Sequence, residues 1–382
     1  MSQTPHHPRD PFEAARKSTG TMCVHAQGVD VPLILRYPDL RAALKDWETY
    51  SSDDLRNIVL HGEQGVRDGR QYPIETDPPE HKAYRKIVDP FFRRPLDNDY
   101  RVGMQQLLDD AIQVALGNEI DAIHDFALPV QSKSLAMMLN VDMAEADEWV
   151  GWGTHVFYDG DGKSKGDALT DYNRAQFAKT AGSGGDDFYS VLNRAEYDGR
   201  PLTDEEKLGF ANLAFAGGRD TVIGTITGIL AHLGDEPDVL EFLRADEKRL
   251  SPATEEYLRF ISPVTVLARK CPHGATVGDQ AVPPGGRAGV CYASANYDET
   301  VFPDPHQLKL DRSPNPHIAF GFGKHFCLGA HQARLIIRCL LLSLCDKVSR
   351  VEIIDAVTKS EKEVEYTREI GFEKLSVRLH AK

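Results

Sequence analysis

The stretch FGFGKHFCLG, residues 320–329, places one cysteine, Cys327, where an apolar helical pattern begins. At a helix start a cysteine faces backbone N–H groups without partners and the positive end of the helix dipole, and both favour the thiolate. The stretch also carries three glycines, Gly321, Gly323 and Gly329. Glycine allows positive-φ turns and the close passage of a flat, bulky partner. The stretch therefore predicts a nucleophile or a metal ligand at Cys327.

Three chemistries remain open for this cysteine. His325 could act as the base of a Cys/His hydrolase, but no oxyanion motif stands out and apolar aromatic side chains flank the site. Cys271 and His273 could join His325 and Cys327 around zinc, but one-residue spacing is poor for a structural zinc site. Haem, which other proteins hold through a single cysteine thiolate, suits an apolar slot lined by glycine.

Length and composition indicate a soluble globular protein. The chain has 382 residues, of which 41% are hydrophobic and 27% charged. Its composition shows no break, so we expect a single domain over residues 1–382, with a β-richer N-terminal part that is not separable from the helix-rich remainder. The net charge of −14 argues against a nucleic-acid partner, because phosphate binding needs a concentrated positive surface.

Membrane spans, export signals and disulfides are not expected. The longest apolar run, residues 335–344, is interrupted by Arg338, and residues 1–20 lack the apolar core of a signal peptide. The sequence therefore predicts a cytoplasmic protein that does not contact a membrane. Its six cysteines are spread without framework spacing, so disulfides are not predicted.

Periodicity predicts mostly helices, with strands at 21–37, 267–290 and 351–379. We expect loops at 159–167 and near Gly184, both rich in glycine and aspartate. The first of these is not predicted to be a calcium loop. Lysine and serine occupy two positions where that motif needs an oxygen ligand and a glycine.

Residues 203–237 predict one helix of about 30 residues that begins with a capping box at Thr203 and Glu206. Its centre is weak, because two adjacent glycines precede two residues whose side chains compete for backbone hydrogen bonds. These residues are Gly217, Gly218, Asp220 and Thr221. The weakness indicates either the close approach of another body or an opened turn.

A second helix is predicted to start with a Ser251 cap and to end before Pro263. Glu256 and Arg259 are three residues apart, so they share one face and can pair. Taken alone, such a pair is most often a surface contact worth less than about 1 kcal/mol.

Separate stretches of the chain resemble the cytochrome P450 family. Residues 320–334, FGFGKHFCLGAHQAR, match the haem-binding loop of its soluble bacterial members, F-G-x-G-x-H-x-C-x-G-x-x-x-A-R, at every fixed position. Further stretches of the chain resemble other elements of the family. These are the E-x-x-R pair at Glu256 and Arg259, the oxygen-activating groove AGGRDT at 216–221, the C-helix stretch DPPEHKAYR at 77–85, and the approach to the haem loop at 295–312 and 317–323. All lie in the family's order, so the resemblance covers nearly the whole chain.

The resemblance implies a mainly α fold with small β-sheets, a helix-rich triangular prism. In it, haem b (iron protoporphyrin IX) lies between a long central helix and the helix of the cysteine loop. Cys327 would be the axial thiolate. The other cofactor-binding residues implied are His81, Arg85, Arg269 and His325 at the propionates, and Phe320, Gly321 and Gly329 in the loop. Cations suit the propionates because charge-assisted hydrogen bonds are strong. Glu256 and Arg259 would form a buried network that locks the fold.

The activity implied is monooxygenation, with one oxygen atom of O2 inserted into a substrate. Asp220 and Thr221 would manage the protons that dioxygen activation consumes. The residues implied to contact substrate are Leu213, Ala216, Gly217, Thr265, Leu267 and Ile370. Most are small or apolar, which suits a small apolar or aromatic substrate. Two alternatives stay open: a peroxide-driven haem-thiolate peroxygenase, and a haem-thiolate protein that binds or senses without turnover.

The resemblance also implies a separate electron donor, since the chain shows no flavin or iron–sulfur segment. Basic residues cluster in the C-helix stretch and around the cysteine, at Lys82, Arg85, Lys86, Arg93, Arg94, Lys324, Arg334, Arg338 and Lys347. In this fold the two groups share the proximal face, so we expect an acidic ferredoxin or flavodoxin-like protein to dock there. The other interpretation is an ordinary solvated surface.

Two features depart from the family pattern. The stretch 149–186, where paired helices cover the substrate pocket, is short and rich in glycine and aspartate, so we expect a small or open lid. Arg219 places a charge inside the groove motif. We expect its side chain to project away from the haem; the alternative is that it binds an acidic substrate.

Overall fold

The computed structural model describes residues 7–63, 66–67, 69–154 and 164–382, and the side chains of 164–166 are not described. The fold is mainly α with small β-sheets, as predicted. The helices are α1 (Glu13–Ser18), α2 (Tyr37–Ala43), α3 (Glu80–Arg93), α4 (Asn98–Ala115), α5 (Leu128–Leu139), α6 (Glu145–Gly151), α7 (Ser164–Lys179), α8 (Phe188–Arg194), α9 (Asp204–Gly218), α10 (Asp220–Asp235), α11 (Asp238–Arg244), α12 (Leu250–Ile261), α13 (Tyr292–Asn296) and α14 (Ala330–Lys347). Among the described residues, no helix is both long and apolar enough to cross a membrane.

The strands form two larger sheets and two small hairpins. They are β1 (Thr21–Ala26), β2 (Val29–Ile34), β3 (Glu119–Asp121), β4 (Glu196–Tyr197), β5 (Arg200–Pro201), β6 (Val266–Cys271), β7 (Ala275–Val277), β8 (Gln280–Val282), β9 (Gly286–Cys291), β10 (Val348–Lys362) and β11 (Thr367–Ala381). One sheet has the order β1-β2-β9-β6, with only β2 and β9 parallel, and the other has the order β10-β11-β3. Strands lie in all three predicted regions, but the first region ends at Ile34 rather than at residue 37, where α2 begins, and β3, β4 and β5 were not predicted.

The core is built around α10 and α14. Ile226, Ile229 and Leu230 on α10 are fully buried in one apolar cluster with Leu340 and Leu344 on α14. The helix α10 also packs against the hairpin of β10 and β11 and against α12. The helix that begins at the end of the groove motif, α10, and the helix that follows the cysteine loop, α14, are therefore held together by one buried apolar surface.

The prediction of one continuous helix over 203–237 is wrong at its centre. The capping box of Thr203 and Glu206 starts α9, but α9 ends at Gly218 and α10 begins at Asp220. Arg219 lies between them with φ −88° and ψ −75°. Glycine weakens the end of α9, and a carboxylate at Asp220 suits the first turn of a new helix. The weak centre thus forms an opened turn.

Two other boundaries differ from the predictions. Ser251 does not cap α12, because α12 already begins at Leu250 after a short 3₁₀ turn at Glu247–Arg249. The predicted end before Pro263 is confirmed, with Ser262 in the left-handed region as the C-cap. Residues 164–167 lie in α7 rather than in the predicted loop. The remainder of that loop, 159–163, lies outside the described residues.

Candidate active site

The cysteine loop is held by backbone geometry. Cys327 lies between a 3₁₀ turn, Gly323–His325, and α14, and its N–H donates to the Phe320 carbonyl at 2.9 Å. Gly321 and Gly323 have φ values of 71° and 75°. A Cβ on Gly323 would lie 2.5 Å from the Leu44 carbonyl oxygen just after α2, so no side chain fits there. Gly329, by contrast, has a φ of −76° and does not need this freedom.

The electrostatics of Cys327 differ from the helix-dipole prediction. The side chain is half-buried. Burial raises the pKa of its thiol, although hydrogen bonds from the backbone N–H groups of Gly329 and Ala330 act in the opposite direction. The protein alone therefore favours the thiol. A metal cation would reverse that balance, because a coordinating thiol loses its proton.

Two imidazoles and a guanidinium meet beside the loop. The rings of His81, on α3, and His325 have centroids 4.2 Å apart. Arg85, one turn further along α3, donates to the Phe326 carbonyl at 2.7 Å. Burial, together with the charges of His325 and Arg85, lowers the pKa of His81 to about 3. Without a ligand, little negative charge is therefore available to stabilise the protonated forms of these side chains.

The nearest carboxylate, Asp77, stabilises the protonated form of His325 only in part. His325 Nε2 lies 3.5 Å from Asp77 Oδ1, which is too far for a well-formed hydrogen bond. Asp77 also accepts hydrogen bonds from the Ser51 hydroxyl at 2.5 Å and the Ser52 N–H at 3.1 Å. Burial lowers the pKa of His325, and the charge of nearby Arg269 lowers it further.

Arg269, on β6, completes the cluster. Its side chain is buried, donates to the Ala268 carbonyl at 2.8 Å and lies beside Tyr292. Three basic side chains, His81, Arg85 and Arg269, thus lie around His325, whose Nε2 has no hydrogen-bond partner in the described structure. Buried polar atoms normally find partners. The residues present therefore fit the two carboxylates of a haem, the group that the resemblance implies.

The groove motif lies at the break between α9 and α10. A Cβ on Gly218 would meet nothing within 4 Å, and one on Gly217 would meet only Leu213 Cδ1 at 3.9 Å. The glycines therefore border open space, as a slot for a flat cofactor requires. The Thr221 hydroxyl donates to the Gly217 carbonyl at 3.3 Å, and Asp220 is exposed in the first turn of α10.

The residues predicted to contact substrate lie in different environments. Leu213 and Ala216 lie half-buried on α9 beside Gly217, while Leu267 and Ile370 lie half-buried on β6 and β11. Thr265 is different because its hydroxyl donates to Glu361 Oε2 at 2.9 Å and accepts from Arg368 at 3.0 Å. This buried polar network takes up the hydroxyl of Thr265.

Glu256 and Arg259 are both fully buried on α12. They form a two-pronged pair with N–O distances of 2.8 Å. Glu256 also binds the Arg312 side chain at 2.9 and 3.0 Å and accepts from the Lys309 backbone N–H and Asn315. The carboxylate therefore joins α12 to the segment that leads into the cysteine loop, unlike an isolated surface pair.

Sequence reasoning missed three contributors to the site: Asp77, Tyr292 and the Leu44 carbonyl. Asp77 opens the DPPEHKAYR stretch, so its position carried a usable signal. Nothing in the sequence pairs Tyr292 with Arg269 or Leu44 with Gly323, because both contacts join distant segments.

Comparisons with known proteins agree with this geometry. The cytochrome P450 family model matches residues 167–349. A solved structure described as that of a carbohydrate active P450 is 39% identical, with a TM-score of 0.94 and 98% coverage of both chains. Cytochrome P450 107B1 of Saccharopolyspora erythraea is 31% identical, covering 81% of this chain and 79% of that protein. The steroid C26-monooxygenase of Mycolicibacterium smegmatis is 31% identical, covering 75% and 74%.

These similarities define the class of protein: a haem-thiolate monooxygenase with the P450 fold. The chain belongs to the cytochrome P450 family, and its cofactor is haem.

Proposed function

We propose that the chain is a dioxygen-dependent monooxygenase in which Cys327 ligates the iron of haem b. The cluster of basic side chains beside the cysteine loop carries this proposal, because Arg85 and Arg269 bring two positive charges to a site where Asp77 is the carboxylate beside His325, and His81 and His325 add ring N–H donors. Arg85, Arg269, His81 and His325 would hold the propionates through charge-assisted hydrogen bonds. Phe320, Gly321 and Gly329 would shape the loop around the ring. Bound there, haem would supply the oxidising chemistry that inserts one atom of O2 into a C–H bond.

Asp220 and Thr221 would control protons at the opposite side of the slot. The 3.3 Å bond from the Thr221 hydroxyl to the Gly217 carbonyl is long, so that proton can be donated elsewhere at small cost. Asp220 stands exposed one residue earlier and can exchange protons with solvent. The carboxylate would pass protons inward and the hydroxyl would hold them at the reacting oxygen. A peroxide-driven enzyme or a non-catalytic haem protein has no use for this pair.

Replacing Thr221 with alanine tests the proposal. We expect Thr221→Ala to lower product formed per electron pair consumed by roughly 10- to 100-fold, with the lost electrons recovered as hydrogen peroxide. Thr221→Ser keeps the hydroxyl and is the matched control. Unchanged coupling in the alanine variant would instead favour the peroxide-driven or non-catalytic alternatives.

The electron donor is proposed to be a separate acidic ferredoxin or flavodoxin-like protein that meets the chain in the cytoplasm. Lys82, Lys86 and Lys324 are exposed and form no ion pair in the part of the chain that the structure describes. Arg334, in contrast, is paired with Glu255 at 2.7 Å. The free lysines on α3 and the cysteine loop are therefore the stronger candidates for docking.

Two substrate classes are supported by different observations. Leu213, Ala216 and Ile370 favour the small apolar or aromatic substrate that the sequence predicts. The 39% identity to the carbohydrate active P450 favours a saccharide. We propose titrating the haem-loaded protein with saccharides, small aromatics, terpenes and fatty acids while following its absorption spectrum. A saturable shift with saccharides alone would support the second class and exclude the first.

A further inference from the structure

The break between α9 and α10 is occupied by a buried arginine. Arg219 is 1% exposed, although it stands between two helices and next to exposed Asp220. Arginine is almost never fully buried without partners, because removing its charge from water is costly. The side chain therefore needs acceptors inside the protein, and these come from a distant segment.

The guanidinium binds the end of α6. Its Nε donates to the Gly153 carbonyl at 2.7 Å, and Nη2 donates to the Trp149 carbonyl. The Trp149 carbonyl lies in the last turn of α6 and the Gly153 carbonyl just beyond it, at the negative end of the helix dipole, so a cation is favoured there. Arg219 thus caps a helix that lies about 70 residues earlier in the chain.

Aromatic packing fixes the same two segments side by side. Phe215, four residues before Arg219 on α9, lies edge-on to Trp149, with ring centroids 4.8 Å apart. It also contacts Trp152 at 5.7 Å. The apolar contact sets the spacing between the segments, and the guanidinium sets their rotation through two directed bonds. An apolar side chain at position 219 would leave the Phe215 contact in place but could not make the two directed bonds.

The charge of Arg219 persists in this environment. Burial lowers its pKa to about 10, with Asp220 acting in the opposite direction, so the group remains a cation near neutral pH. Its Nη1 has no hydrogen-bond partner in the described residues. A merely structural contact would be at least as stable with an apolar residue in place of this partly unsatisfied charge.

We propose that Arg219 is a positioning residue, which couples the end of α6 to the helix break and thereby sets the orientation of Asp220 and Thr221. The two bonds, one to the last turn of α6 and one to Gly153 just after it, hold Arg219 at the angle that ends α9 and restarts α10. Rotation of this residue would turn the first turn of α10, where the proton-handling pair stands. The inference rests on the proposed roles of that pair.

Three variants test the coupling. Arg219→Met keeps the length but removes both bonds, and Arg219→Lys keeps the charge with a single point of donation. Arg200→Met is the matched control, because Arg200 pairs with Glu206 at the start of the same helix, away from the break. Haem-loaded protein of each is compared by backbone hydrogen exchange without substrate or electron donor, and by product formed per electron pair.

We expect Arg219→Met to speed hydrogen exchange in both 149–154 and 219–224. It should also lower the product formed per electron pair by about three- to tenfold. Arg219→Lys should fall between this variant and the parent, and Arg200→Met should change neither quantity. Faster exchange confined to 149–154 with unchanged coupling would overturn the inference. If Thr221→Ala uncouples the reaction and neither Arg219 variant does, the inference alone fails. If Thr221→Ala does not uncouple, the proposed function fails, and exchange confined to 149–154 would still refute the mechanical link.

Discussion

The two sides of the proposed haem slot are built by different means. On the cysteine side, backbone constraints dominate, since Gly321 and Gly323 take positive φ values and the Leu44 carbonyl leaves no room for a Cβ. On the groove side, Gly217 and Gly218 border open space, and the break is held by side-chain bonds from Arg219 to α6. The comparison teaches that close backbone packing, including a contact with distant Leu44, fixes one wall, whereas directed side-chain bonds fix the other.

A matched pair of alanine substitutions would sharpen this contrast most strongly. Gly323→Ala should destabilise the protein by about 2–3 kcal/mol or more, because its Cβ would meet the Leu44 carbonyl at a positive φ. Gly217→Ala should stabilise the haem-free protein by up to about 1 kcal/mol, since alanine has the higher helix propensity. Urea unfolding of the haem-free proteins measures both.

The same pair also tests the fit of the cofactor. Gly217→Ala should weaken haem retention, because its methyl group fills the space beside the slot. The contrast between the two walls would be lost if both substitutions changed the unfolding free energy equally. Normal haem affinity in Gly217→Ala would show that the open space beside Gly217 is not the slot.

A smaller effect is expected from surface charge on the cysteine side. Reversing Lys82 and Lys324 to glutamate should slow reduction by an acidic ferredoxin about tenfold at low salt, because steering by opposite charge is lost. The difference should shrink as ionic strength rises. Stopped-flow reduction at several salt concentrations measures it.

The matched control for this charge reversal is Lys374→Glu, which reverses an exposed lysine on β11 that pairs with Asp355. An equal loss of rate in this control would place docking elsewhere or make it non-specific. A reduction rate that ignores ionic strength in the parent protein would count against any docking by charge.

Asp77, Tyr292 and Leu44 were missed on the cysteine side, but the backbone of the cysteine loop could be predicted from sequence. Local rules govern it: a fixed motif around Cys327, glycines where turns need them, and a helix that starts directly afterwards. The fold class followed from the resemblance of this motif and several separate stretches to the P450 family, and it is confirmed by the 0.94 TM-score to a solved P450. The thiol pKa was not predictable, because burial depends on segments far away in the chain.

The groove side was predicted less well. The sequence showed that the helix centre is weak at Gly217 and Gly218, but not that α9 and α10 are separate helices. The partners of Arg219 at the end of α6 could not be seen in the sequence, because they lie about 70 residues earlier in the chain. Thr265 illustrates the same limit, because Glu361 and Arg368 take up its hydroxyl from another strand pair.

The central claim is that the sulfur of Cys327 ligates haem iron, and the carbon monoxide spectrum of the reduced protein tests it most directly. We predict the strongly red-shifted absorption that thiolate coordination gives in the parent protein, and its loss in Cys327→Ser. Absence of that band in haem-loaded parent protein, or its persistence in the serine variant, would contradict the account.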